Sequence, residues 1–160
     1  MLAAALVLAV ASGPAPAGEM EWKMLLEQAN LHVQRGSLQQ AELFAREAIA
    51  EAERSFGPKH RALDQSIATL GLVLRFAQRY PEAEKEYRRA LALREKALGP
   101  GDPQTAILLN NLADVVQAQK KFAEAEKLHR RVLAVFEKAY GDDPKTAASL
   151  NNLGAAIQAQ

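Results

Sequence analysis

The sequence predicts an all-α fold, a solenoid of antiparallel helix-turn-helix units numbering about three and a half. Three observations predict it. Gly57, Gly99 and Gly141 recur every 42 residues (99 − 57 and 141 − 99). The segments around them align with one another. Apolar residues recur at helical spacing, and no stretch alternates with the period of two that a half-buried strand requires. A fixed period of tens of residues marks an array in which each unit buries its apolar face only against its neighbours.

The repeat is close. Tyr80–Gly99 and Phe122–Gly141 share 12 residues of 20, and Asp102–Gln119 and Asp143–Gln160 share 11 of 18. The second alignment needs an offset of 41, so the loop after Gly141 is one residue shorter. A loop absorbs that deletion, whereas a helix would lose its facing register.

Taken in order, the first helix starts near Glu19, with Trp22, Leu25, Leu26, Ala29 and Val33 on one face. Gly36-Ser37 ends it. The second runs from about Leu38 to Phe56 on a stripe of Ala41, Phe44, Ala45, Ala48 and Ile49, and Gly57-Pro58 stops it. The next pair is expected at about Arg61–Gln78, with Ile67, Leu70, Gly71 and Leu74 inward, and Tyr80–Leu98, with Tyr80, Ala83, Tyr87, Ala90 and Leu91 inward. The third unit places Leu109, Leu112, Ala113 and Val116 on its first helix, and Phe122, Ala125, His129, Val132 and Leu133 on its second. Asp102-Pro103 and Asp143-Pro144 are start signals: Asp accepts from free amides at the N-cap, and Pro at the first position forfeits no hydrogen bond. The last segment, Pro144–Gln160, repeats only a first helix. Its Leu150, Leu153 and Ile157 repeat the face covered in earlier units, which predicts either a continuing chain or self-association through this C-terminal edge.

The totals exclude several classes. Lys and Arg number 20, Asp and Glu 19, interleaved throughout, so there is no basic field for nucleic acid. With no cysteine, there is no disulfide framework and no thiolate metal site. Residues 1–17 differ from the rest. Leu2–Ala11 is apolar, Ser12-Gly13-Pro14 breaks it, and Ala15-Pro16-Ala17 offers a small-residue cleavage site before Gly18. That reads as a signal peptide and predicts export to a periplasm or the exterior; the alternative is a cytoplasmic chain with a tail. The apolar run is too short to span a bilayer.

Small residues recur at matched positions: Ala29, Gly71, Ala113 and Gly154 on first helices, and Ala41, Ala83 and Ala125 on second helices. Gly71, Ala83 and Ala90, like Ala29, Ala41 and Ala48, give the spacing of the tetratricopeptide repeat. The longer period, the Leu109–Ala113 start and the Glu82–Leu91 second helix resemble the kinesin-light-chain-like subclass. The resemblance covers about Glu21–Gln160, within a repeat domain expected at 19–160, with repeats at about 22–58, 64–100, 106–141 and a partial one at 144–160. It implies a right-handed superhelix whose first helices line a concave face that binds an extended peptide or a helix of another protein; the alternative is that these repeats are the docking or sensing part of a larger signalling or enzymatic protein.

No catalytic motif is present, neither HExxH, GxSxG nor a phosphate loop, so no enzyme, cofactor or metal is expected. His129 matches Tyr87 and is expected to pack between helices; His60 falls in a loop. The glutamates of the second helices read as solvated ion pairs. The binding stripe is expected on the first helices: Asn30 in unit one, Arg75 in unit two, Asn110, Asp114 and Gln117 in unit three, and Asn151 in unit four, with Asn111 and Asn152 beside them. Stacking would set Asn151 beside Asn110. Such amides can pair with a peptide backbone, while Arg75 and Asp114 select charge.

Overall fold

The computed structural model describes residues 17–159. These form seven helices: α1 Ala17–Gln34, α2 Leu38–Phe56, α3 Arg61–Phe76, α4 Tyr80–Leu98, α5 Pro103–Ala118, α6 Phe122–Tyr140 and α7 Pro144–Gln158. The expected signal peptide lies outside the described residues except for Ala17, which opens α1. No helix among the described residues is long and apolar enough to cross a membrane.

Each helix packs against the next in sequence, so the chain is a stack of hairpins. Odd helices also touch across units, α1 against α3 and α3 against α5. Even helices of neighbouring units are joined by long ion pairs instead: Arg89 to Glu53 at 3.1 Å, and at the matching positions one unit on, Arg131 to Glu95 at 2.7 Å. A stack curves toward its more closely spaced layer, so the odd helices form the inner face.

Local chemistry sets the boundaries. His60, Asp102 and Asp143 cap the three later odd helices, accepting from the amides of Ala62, Gln104 and Lys145 at 3.1, 2.7 and 2.9 Å. His60, read from sequence as a loop residue, is therefore a helix cap whose ring stacks on Phe56 at 4.6 Å. The turn inside each hairpin needs a left-handed residue, supplied by Gly36, Gln78 and Lys120 at φ 73°, 59° and 62°. That turn ends α3 at Phe76, two residues short of the expected Gln78. The glycines that close the units, Gly57, Gly99 and Gly141, also have positive φ, which a side chain would strain.

Six of the seven small positions are buried as the spacing implies, and Gly154 on α7 is only half-buried. Ala29, Ala41, Ala83, Ala113 and Ala125 have no exposed surface, and the large side chains of Ile67, Leu74, Tyr87, Leu109 and Leu112 fill the space beside them. On α7, Leu153 is buried, while Leu150 and Ile157 stay about half exposed.

The glutamates of the even helices are not simply solvated pairs. Glu84 is buried and accepts from Arg88 on its own helix, and from Gln119 and Lys121 of the next unit at 2.7 and 2.8 Å. Burial pushes its carboxyl up, but the hydrogen bonds from Lys121, Arg88 and Gln119 outweigh this and hold it at about 2. Glu42 and Arg79 make the matching bridge between units one and two.

Candidate functional site

The inner face carries three recesses, each between consecutive odd helices. One of about 310 Å³ lies between α3 and α5 and includes Gln65, Thr69, Gln104 and Asn111. A second of about 250 Å³ lies between α5 and α7 and includes Ile107, Asn110, Asn111, Ser149 and Asn152. The third, of about 480 Å³ between the same two helices, is lined by Asp114, Gln117, Phe122, His129, Asn152 and Ala155 among others. Helical spacing along α5 produces this division: Asn110, Asp114 and Gln117 fall one turn apart on one stripe, with Asn111 beside it.

Five of the eight expected site residues, Asn110, Asn111, Asp114, Gln117 and Asn152, line these recesses. Asn30 and Asn151 are exposed and line none of the three. Asn152, rather than the expected Asn151, meets Asn110: its Nδ2 donates to Asn110 Oδ1 at 3.0 Å. Asn152 Oδ1 remains as an acceptor. Arg75 and Asp114 pair with one another, Nη1 to Oδ2 at 3.4 Å, so their charges are already partly matched within the chain. The Arg75 guanidinium also lies over the Phe76 ring at 5.3 Å.

The electrostatics beneath this face are set by burial. Burial raises the Asp114 carboxyl above its ordinary value, and Arg75 only partly offsets that. Tyr87 is fully buried with its hydroxyl unpartnered, and burial pushes it up to about 12. His129, at the matching position one unit on, is 1% exposed, and both ring nitrogens lack a partner. Burial lowers its pKa, so the ring is neutral at pH 7. Sequence reasoning placed His129 correctly as a packed residue and missed that its ring borders a recess. Phe122, expected as an inward packing residue, also borders that recess. Ile107 and Gln104 were missed as lining residues; only their place on the stack reveals them. Among the described residues, no group of three His, Cys, Asp or Glu side chains could hold a metal ion.

Residues 23–96, 64–138 and 104–160 each match the family profile of the tetratricopeptide repeat. The chain belongs to the tetratricopeptide-repeat family. No curated protein sequence matches it. Among solved structures, this tetratricopeptide-repeat chain resembles BtubC (BKLC) of P. vanneervenii, with a TM-score of 0.81 at 19% identity over 92% of its length. It also resembles a Podosopora anserina protein with nearly identical TPR-like repeats, assigned to the kinesin light chains, with a TM-score of 0.78 at 24% identity over 86%. A point variant of that Podosopora anserina protein gives a TM-score of 0.78 at 22% identity. The chain spans 59% of the first structure and 65% of the second. At these identities the likeness establishes the fold, an α-solenoid of tetratricopeptide repeats.

Proposed function

We propose that this tetratricopeptide-repeat chain is a non-catalytic scaffold that holds a segment of another polypeptide along its inner face. The contrast between its two layers carries the reading. The even-helix layer spends its charges on itself, through the Arg89–Glu53, Arg131–Glu95 and Glu84–Lys121 bridges. The odd-helix layer presents side-chain amides in open recesses, and those of Asn111 and Gln65 have no side-chain partner within the described residues. An amide offers both donor and acceptor, which suits the alternating N–H and C=O groups of a peptide in extended form.

The test begins with peptides selected from a random library on the intact chain. Changing Asn111 and Gln65 together to Ala removes two hydrogen bonds and should weaken those peptides roughly tenfold or more. Lys127→Ala on α6 should leave affinity unchanged. The reverse pattern would move the binding surface to the even helices and end this reading.

A further inference from the structure

The third recess lies where unit three departs from unit two. In unit two the corresponding positions are Leu72, Arg75, Phe76, Tyr80, Tyr87 and, on the following odd helix, Asp114. There Arg75 reaches Asp114 and covers Phe76, so a guanidinium and a carboxylate of the chain itself span the gap. One unit on, Gln117 stands for Arg75, Ala118 for Phe76, His129 for Tyr87 and Ala155 for Asp114. Each replacement is smaller, and a recess of about 480 Å³ opens where unit two has the ion pair.

The lining residues of this recess define what it accepts. It contains no cation. Asp114 contributes a carboxylate whose burial Arg75 compensates only in part. His129 contributes a neutral ring, almost wholly buried, with two unpartnered nitrogens. Gln117 and Asn152 add amide oxygens, the Nδ2 of Asn152 being engaged by Asn110. Phe122 adds an aromatic ring. A guanidinium carries five N–H donors and no acceptor, and its plane stacks on aromatic rings. We infer that this recess is a socket for an arginine side chain of the bound polypeptide, which replaces the internal guanidinium that unit two supplies through Arg75. The inference rests on the inner-face reading above and adds the chemical class of the segment held there.

The test uses the full chain and four blocked tripeptides, Gly-Arg-Gly, Gly-Gln-Gly, Gly-Glu-Gly and Gly-Trp-Gly, followed by NMR of the His129 ring and the Gln117 and Asn152 side-chain amides. The arginine peptide should shift these signals saturably, and the other three should bind roughly tenfold more weakly or worse. Asp114→Asn should weaken the arginine peptide by a similar factor. Gln117→Arg places a guanidinium of the chain itself where Arg75 stands in unit two and should abolish binding by filling the socket, with an unchanged fold confirmed by circular dichroism. Equal response to the glutamine, glutamate or tryptophan peptide overturns the arginine assignment and leaves the inner-face reading standing. Unaltered arginine binding by the Gln117→Arg variant, or no shift with any peptide, also overturns it. The inner-face reading fails separately, through the Asn111 and Gln65 variant.

Discussion

Gly71 on α3 lies against the ring of Tyr87 on α4: a Cβ added at Gly71 would stand 3.0 Å from both Cδ1 and Cε1 of that ring. Tyr87 is fully buried, so the ring has little freedom to yield. Gly71→Ala gains about 1 kcal/mol of helix propensity but overpacks a closed site at about 1–3 kcal/mol. The net expectation is a loss of about 1 kcal/mol, a fall of about 3 °C in Tm. The third unit carries Ala113 and His129 at the same two positions, so volume added on one helix is removed on the other. Gly71→Ala with Tyr87→His should therefore be less destabilised than the sum of the two single changes. Gly154, the matching residue on α7, has nothing within 4 Å of its added Cβ, and Gly154→Ala should raise Tm instead. Melting curves of the four variants decide this; a Gly71→Ala form at or above the parent Tm would show that the ring has room.

What could be read from the sequence follows from what is local. Gly57, Gly99 and Gly141 announce helix ends because a positive φ favours one residue type, and Asp102 and Asp143 announce starts because a cap is made within two residues. Gln78 and Lys120 adopt the same left-handed turn as Gly36 without looking like turn residues, which is why spacing alone extends α3 too far. The stripe of Asn110, Asp114 and Gln117 was legible from helical spacing, but its pairings were not. Arg75 meets Asp114 across 39 residues, and Asn110 meets Asn152 rather than Asn151. Both contacts depend on how one hairpin rotates on the next, which spacing within a helix does not encode. The bonding of Glu84 is hidden for the same reason, since two of its partners, Gln119 and Lys121, belong to the following unit.

The Arg94–Asp64 ion pair offers a second test of unit-to-unit matching. Both side chains are largely buried, at 15% and 6% exposure, unlike the Arg131–Glu95 pair at 47% and 31%. The corresponding positions hold Ala52 and Trp22 in unit one, and Phe136 and Ala106 in unit three. One joint is thus filled by an apolar pair twice and an ionic pair once. Removing one buried partner strands the other charge, so Arg94→Ala or Asp64→Ala should cost about 3 kcal/mol. Converting both together, Asp64→Ala with Arg94→Phe, copies unit three and should fall within about 1 kcal/mol of the parent. Arg131→Ala, at the exposed pair, should cost under about 1 kcal/mol. Urea denaturation measures all four; a double change as damaging as either single one would show that the units do not exchange this joint.

Glu84 makes stability depend on acid. Its folded carboxyl lies at about 2 against an ordinary value of 4.5, a depression, so the stabilisation is fully present above pH 4.5 and lost as pH falls through about 2. A shift of that size corresponds to about 3 kcal/mol. Arg88 and Lys121 are 45% exposed, and solvent screening reduces the realised amount to about 2 kcal/mol. Glu84→Gln keeps the shape and removes the charge. At neutral pH it should therefore lower stability by about 2 kcal/mol, with no change in the helical content of the folded state. The gap between parent and variant should hold constant from pH 7 to 5 and close as pH falls from 4.5 toward 2. High salt at neutral pH should narrow it less than it narrows the effect of Arg131→Ala, because a carboxylate with 11% of its side chain exposed is screened less than an open surface pair. Denaturation of both proteins across that pH series measures the gap; one that stays constant down to about pH 2 would mean the carboxylate is not held ionised by Lys121, Arg88 and Gln119.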